Sequence, residues 1–179
     1  YQGLGVKKNH VKEALKITKL EEKDIENYDI HDSKKFSAEL RRISKPTLIV
    51  ANKIDVKGAG KNFQRLRERY NDMIVVPASA DSELSLRRAE QKELIKYSPG
   101  SEQFDILKSN DLNQKQRDAL DFIKSDIMGE FMHTGVQFAI NVTVFKLLKM
   151  NSIYPVTIPE KLSDKNGRVL PDLILLKDG

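Results

Sequence analysis

Short β-branched runs alternating with amphipathic helical segments predict an α/β fold with parallel strands flanked by helices, followed by the start of a β-rich module. Three observations carry the expectation. The runs 47–50 and 74–77 are separated by a Gly-bounded amphipathic segment with Phe63, Leu66 and Tyr70 at helical spacing. Each run ends in a polar loop, Asn52-Lys53-Ile54-Asp55 and Pro77-Ala78-Ser79-Ala80, and open parallel sheets bind ligands at such carboxyl ends of strands. After Lys149 the helical period gives way to alternation and turn signals.

From Lys8 to about Leu20 a basic, weakly amphipathic helix places Val11, Ala14 and Leu15 on one side. A polar stretch, 21–31, leads to a second helix that Asp32 or Ser33 caps, with Phe36, Leu40 and Ile43 at i, i+4 and i+7. Pro46 ends that register. Beyond the first strand and its loop, Gly58-Ala59-Gly60 opens the next helix, whose Arg65, Arg67 and Arg69 read as its solvated face. The second strand covers 73–76, and a helix starting at Asp81 or Ser82 carries Leu86, Ala89 and Leu94 or Ile95. A loop through Ser98-Pro99-Gly100 follows. Asn113 with Gln116 forms a capping-box signature ahead of the stripe Leu120, Ile123, Ile127 and Phe131, and Gly135 breaks that helix. Residues 136–148 are apolar around most of a helical circumference, which predicts deep burial. Strands at 153–158 and 173–176, joined through the turn Asp164-Lys165-Asn166-Gly167 and with Pro171 before the second, begin a new module.

The 179 residues, 39% hydrophobic, suffice for a core. No run approaches the ~20 apolar residues of a membrane span, and no charged-then-apolar leader is visible, so the expectation is a cytoplasmic protein. Absence of cysteine excludes disulfides, thiolate zinc sites and thiol catalysis, and His10, His31 and His133 stand in no ligand spacing. A net charge of +5 suits contact with RNA or another phosphate-rich surface without requiring it. The chain starts at Tyr1 and ends on the turn signal Lys177-Asp178-Gly179, so it reads as an internal piece of a longer polypeptide.

The two polar loops carry the chemistry of guanine recognition. Guanine presents two adjacent donors, N1–H and the C2 amine, and the Asp55 carboxylate has two oxygens to take both in a charge-assisted pair. Adenine has an acceptor at N1 and no amine at C2, so a buried Asp facing it loses its partners at about 1–3 kcal/mol or more. Lys53 can lay its stem along the purine face with its ammonium in water. The Asn52 amide can donate to N7 and accept from loop backbone, the Ala80 N–H can serve O6, and the Ser79 hydroxyl can brace the Asn52–Asp55 loop. A phosphate-binding Gly-x-x-x-x-Gly-Lys-Ser/Thr loop and a magnesium-binding Asp are missing from the pattern. Gly58-Ala59-Gly60-Lys61 is a decoy, because Asn62 stands where a hydroxyl is needed. No residue here is assigned a catalytic or metal-binding role.

Several strings together resemble the YchF branch of the Obg-related GTPases, especially its archaeal members. They are Lys45-Pro-Thr-Leu-Ile-Val-Ala-Asn-Lys-Ile-Asp55, Val75-Val-Pro-Ala-Ser-Ala-Asp81, Gly135-Val-Gln137, Tyr154-Pro-Val156, Leu170-Pro-Asp172 and Leu175-Leu-Lys-Asp-Gly179. The resemblance implies that 1–44 end a helical insertion, that 45–150 form the second half of a P-loop GTPase domain, and that 151–179 begin a β-grasp TGS domain. It also assigns base recognition to Asn52, Lys53, Asp55, Ser79 and Ala80. Many YchF proteins carry Asn-x-x-Glu and prefer ATP, whereas this sequence keeps Asn-Lys-x-Asp, so the implied ligand is GTP. The resemblance further implies hydrolysis of GTP to GDP and phosphate by the full-length protein and association with ribosomes. It implies potassium or magnesium (Mg2+) dependence too, with the metal ligands outside this chain. Two functions compete at this level. One is a GTP-driven switch enzyme to which this chain lends base recognition and is itself inactive. The other is a non-catalytic adaptor binding RNA or a ribosomal partner; neither a membrane nor DNA is an expected partner.

Overall fold

A computed structural model describes residues 5–170 and 172–177. The expectations for Tyr1, Pro171 and the Asp178-Gly179 turn lie outside the described residues. Two compact units divide after Thr47.

In the first unit, α1 (Lys8–Thr18) and α2 (Ile30–Ser44) pack together, burying Ala14, Thr18 and Leu20. The Thr18 hydroxyl donates to the Ala14 carbonyl at 2.7 Å, which lets a polar side chain sit in that contact. The cap of α2 differs from expectation. Asp29 is the N-cap, accepting the Asp32 N–H at 2.7 Å, while Asp32 sits one turn in and pairs with Lys23. Asp32 has the right chemistry, but Asp29 has the extended backbone that aims a carboxylate at the free N–H groups of the first turn.

In the second unit, β1 (Leu48–Ala51) and β2 (Ile74–Pro77) pair in parallel, Leu48 opposite Ile74 and Ala51 opposite Pro77. They are connected through α3 (Ala59–Arg69), whose Phe63 and Leu66 are half-buried and whose three arginines are exposed. Next, α4 (Ala80–Gln91) starts one residue earlier than expected, capped by Ser79, and ends before Leu94. Glu93 takes a left-handed conformation, φ 54°, and the Leu94 N–H closes back on the Ala89 carbonyl at 3.0 Å. Ile95 therefore belongs to a strand, β3 (Ile95–Lys96), antiparallel to β4 (Asp105–Ile106).

The Asn113–Gln116 capping box forms as expected and opens α5 (Gln114–Phe122). The helix continues through a π-helical stretch (Ile123–Met128) into α6 (Gly129–Phe131). Leu120, Ile123 and Met128 join Leu86, Leu94, Ile95, Tyr97, Phe104 and Leu112 in the main core. After Gly135 come α7 (Val136–Asn141) and a second π-helical stretch (Val142–Leu147). Deep burial of that segment is not what the structure has. Among the described residues only Ala139 and Val142 are buried there, and Phe138, Ile140 and Phe145 are 40–52% exposed, because packed neighbours cover one side alone. The last strands are β5 (Met150–Ile153) and β6 (Ile174–Lys177), antiparallel with Met150 opposite Lys177. Expectation put the first of these at 153–158. Pro155 has no N–H to offer a ladder, and the strand forms on its amino-terminal side.

Candidate functional site

The β1–β2 register brings the two polar loops side by side. Beyond the last strand pair, the Ala78 N–H donates to the Ala51 carbonyl at 3.0 Å and the Ile54 N–H to the Ala78 carbonyl at 3.1 Å. Backbone pairing thus continues into the loops, so a side chain on one is held against the other. Asn52 closes the gap: its Oδ1 accepts the Lys53 N–H at 2.8 Å and the Ala80 N–H at 3.1 Å. Lys53 makes this possible by adopting φ 66°, a left-handed conformation uncommon outside glycine and frequent at ligand sites. Ile54 is buried under the loop and anchors it.

Asn52, Lys53 and Ala80 are exposed, Asp55 is half-buried and Ser79 is fully buried. The Asp55 Oδ1 is shielded from solvent and has no hydrogen-bond partner. A buried carboxylate oxygen without a donor is costly, and the expense is recovered when a ligand brings one. Asp55 also lines a cleft of about 330 Å³ with Gly58, Phe122, Asp126, Glu130 and Phe131. Of the five residues expected at the site, it is the one on that cleft; Asn52, Lys53, Ser79 and Ala80 gather at the neighbouring strand ends. Gly58 itself, at φ 84°, caps α3, so the Gly58-Ala59-Gly60 string is a helix start.

Ser79 departs from its expected contact. Its hydroxyl accepts the Ser82 N–H at 3.1 Å and pairs with the Ser82 hydroxyl at 2.7 Å, capping α4 instead of reaching the Asn52–Asp55 loop. The helix start lies one residue after Ser79, and a serine in the N-cap position has its own free N–H groups nearer than any neighbouring loop. The brace between the loops is the Asn52 amide.

A third segment, unread in the sequence, supports the turn from below. The Ser79 N–H donates to the Thr134 carbonyl at 2.8 Å. The Thr134 hydroxyl donates to Glu83 Oε2 at 2.6 Å, the Tyr97 hydroxyl to the same oxygen at 2.8 Å, and Arg87 Nε to Oε1 at 2.6 Å. Burial works to raise the Glu83 carboxyl, but the hydrogen bonds from Thr134, Arg87 and Tyr97 outweigh it and hold the group below the usual glutamate range. Burial, with Glu83 beside it, pushes the Tyr97 phenol up to about 12. The next residue, Gly135, at φ 86°, lies so close to β2 that an added Cβ would stand 2.0 Å from the Pro77 carbonyl oxygen. The one sequence signal for this support was Gly135; a helical glutamate four residues past a serine reads as surface.

Residues 50–157 match the family described as Obg-like GTPase YGR210-like, G4 motif-containing domain. An uncharacterized GTP-binding protein of Methanocaldococcus jannaschii is 40% identical over 177 residues, 99% of this chain and 44% of that protein. One of Schizosaccharomyces pombe is 28% identical over 141 residues, 75% of this chain and 34% of that protein. The crystal structure of a GTP binding protein from Pyrococcus horikoshii OT3 superposes with a TM-score of 0.67 at 35% identity, covering 98% of this chain and 44% of that one. The chain thus spans less than half the length of these relatives. The matched stretch contains both loops and all of their supports, and the chain belongs to the Obg-like GTPase family of the YGR210-like type, with residues 50–157 matching its G4 motif-containing domain.

Proposed function

We propose that this chain is the base-reading half of a GTP site, with Asp55 taking guanine N1–H and the C2 amine. Asn52 faces N7, Lys53 lies along the purine face and the Ala80 N–H serves O6. The observation that carries the proposal is the unpartnered, shielded Asp55 oxygen beside two loops that Asn52 clasps together. Guanine supplies the missing donors. The relatives from Methanocaldococcus and Schizosaccharomyces, both described as GTP-binding proteins, support the same ligand. The Ala80 N–H is held by Asn52 in the free chain, so O6 would share or take over that donor.

Calorimetric titration of the intact polypeptide that carries this chain tests the proposal with GTP, ATP and inosine triphosphate, which lacks the C2 amine. Inosine triphosphate should bind about tenfold or more weakly than GTP, since one charge-assisted hydrogen bond contributes about 1.5–3 kcal/mol. Equal affinities for the three would overturn it.

Placement in the YchF branch, a β-grasp TGS identity for β5 and β6, and hydrolysis to GDP and phosphate are parts of the same proposal, supported by the sequence resemblance. So are a cytoplasmic location and contact with ribosomes or RNA, the latter with the net charge of +5 behind it. For RNA, affinity that does not fall as salt rises would exclude the electrostatic mode that charge suggests. Magnesium, whose ligands the resemblance places outside this chain, belongs to the same proposal; among the described residues no group of three or more His, Asp or Glu is placed to hold a metal ion.

A further inference from the structure

We infer that Glu83 is a positioning residue for base recognition, its side chain acting through Thr134 on the Ser79 N–H and so on the turn that carries the Ala80 N–H. This rests on the reading of the Ala80 N–H as the O6 contact and deepens it. Glu83 is 4% exposed, on a helix whose neighbouring Leu86 is wholly buried in the main core. A leucine there would avoid burying a charge, so the carboxylate calls for an explanation in what it holds.

It holds a closed ring. The Glu83 N–H donates to the Ser79 carbonyl at 3.1 Å, the Ser79 N–H donates to the Thr134 carbonyl at 2.8 Å, and the Thr134 hydroxyl returns to Glu83 at 2.6 Å. Both sides of Ser79 are therefore pinned. The Ser79 carbonyl and the Ala80 N–H belong to one peptide unit, which is planar, so fixing the direction of the carbonyl fixes that of the N–H. That N–H points at Asn52 Oδ1 and, in the proposed complex, at the purine O6. The hydrogen bonds of the Glu83 side chain go to Thr134, Tyr97 and Arg87 and to neither loop of the base site. Its carboxylate fixes Thr134, whose carbonyl holds the Ser79 N–H while the main-chain N–H of residue 83 holds the Ser79 carbonyl. Loss of the side chain frees the first of these two anchors and loosens the aim of the Ala80 donor, and preorganised donors lose least on binding.

Two nucleotide ratios separate this from a general loss of structure, both measured on the intact polypeptide. GTP against 6-thioguanosine triphosphate weakens the acceptor at position 6 while keeping N1–H and the C2 amine, so it reads the Ala80 contact. GTP against inosine triphosphate reads Asp55. Thr134→Val and Glu83→Ala should lower the first preference about threefold to tenfold, the range of one neutral hydrogen bond, and leave the second unchanged. Thr134→Ser should restore the first. Tyr97→Phe removes a second donor to Glu83 Oε2 but leaves the three bonds of the ring in place, and should lower the melting temperature with both ratios intact. Should Glu83→Ala fail to fold, the Thr134 pair decides alone.

The inference is overturned if Thr134→Val keeps the wild-type preference for GTP over the thio analogue, or if Tyr97→Phe lowers it equally. Failure of the underlying site reading looks different: the inosine ratio is then near one in the unmodified protein.

Discussion

Gly135→Ala is the substitution whose outcome follows most directly from the geometry. A Cβ at 135 would stand 2.0 Å from the Pro77 carbonyl oxygen, 2.7 Å from Ala78 Cα and 2.9 Å from Ala78 Cβ, separations below the 3.0 Å that real Cβ atoms respect. Two of the three are backbone atoms of the β2 end, so no side-chain rotation relieves them. The 132–135 segment must retreat by about 1 Å, enough to break the 2.8 Å bond from the Ser79 N–H to the Thr134 carbonyl. A left-handed alanine, the overpacking and the lost hydrogen bond together come to about 3–5 kcal/mol. Because the chain has two compact units, a single unfolding curve can blur the effect, and amide hydrogen exchange reads it locally. Exchange at Ser79 should quicken by about a hundredfold or more, and the urea midpoint of the second unit should fall. Wild-type exchange at Ser79 with an unchanged midpoint would refute the argument that this close approach supports the turn.

Other perturbations probe the remaining supports. Ser79→Ala removes the α4 cap and should cost about 0.5–2 kcal/mol, read by thermal unfolding. Asn52→Ala should speed exchange at the Lys53 and Ala80 amides while lowering stability by only about 0.5–1.5 kcal/mol, because the backbone pairing of Ile54 and Ala78 persists. Glu83 is held below the usual value of 4.5, so its contribution is complete above that pH and is lost as pH falls through its lower folded value; acid unfolding of Glu83→Gln should lack that component. Tyr97 behaves in the opposite sense. Its raised pKa means the folded state keeps the proton longer, so stability should drop between pH 10 and about 12, and Tyr97→Phe should abolish that drop.

What the sequence revealed depended on whether a position's chemistry was local. The Asn113–Gln116 cap is written in two residues three apart, and it forms as read. The strands and loops around Asn52 and Ser79 were legible because β-branched runs end abruptly in polar residues. The end of α4 was not, since the left-handed position falls on Glu93, which carries none of glycine's signal, and Leu94 and Ile95 kept an apparent helical period. The cap role of Ser79 was missed because a hydroxyl serves whichever N–H its backbone presents, and that depends on a helix start one residue from the expected place. Glu83, Thr134 and Tyr97 lie 14 to 51 residues apart, and nothing in a single chain's pattern pairs them. Burial along 136–148 was overestimated because apolar content reports what a surface prefers, whereas the neighbours present decide what it meets.

The central claim is that Asp55 is the group that chooses guanine, and swapping its chemistry tests it most directly. Asn at 55 accepts from N1–H as before but turns a donor toward C2, where xanthine carries a carbonyl in place of the amine. Titration of Asp55→Asn in the intact polypeptide should therefore show preference for xanthosine triphosphate over GTP, reversing that of the unmodified protein. A variant that still prefers GTP by the original ratio would contradict the assignment of Asp55 to the base.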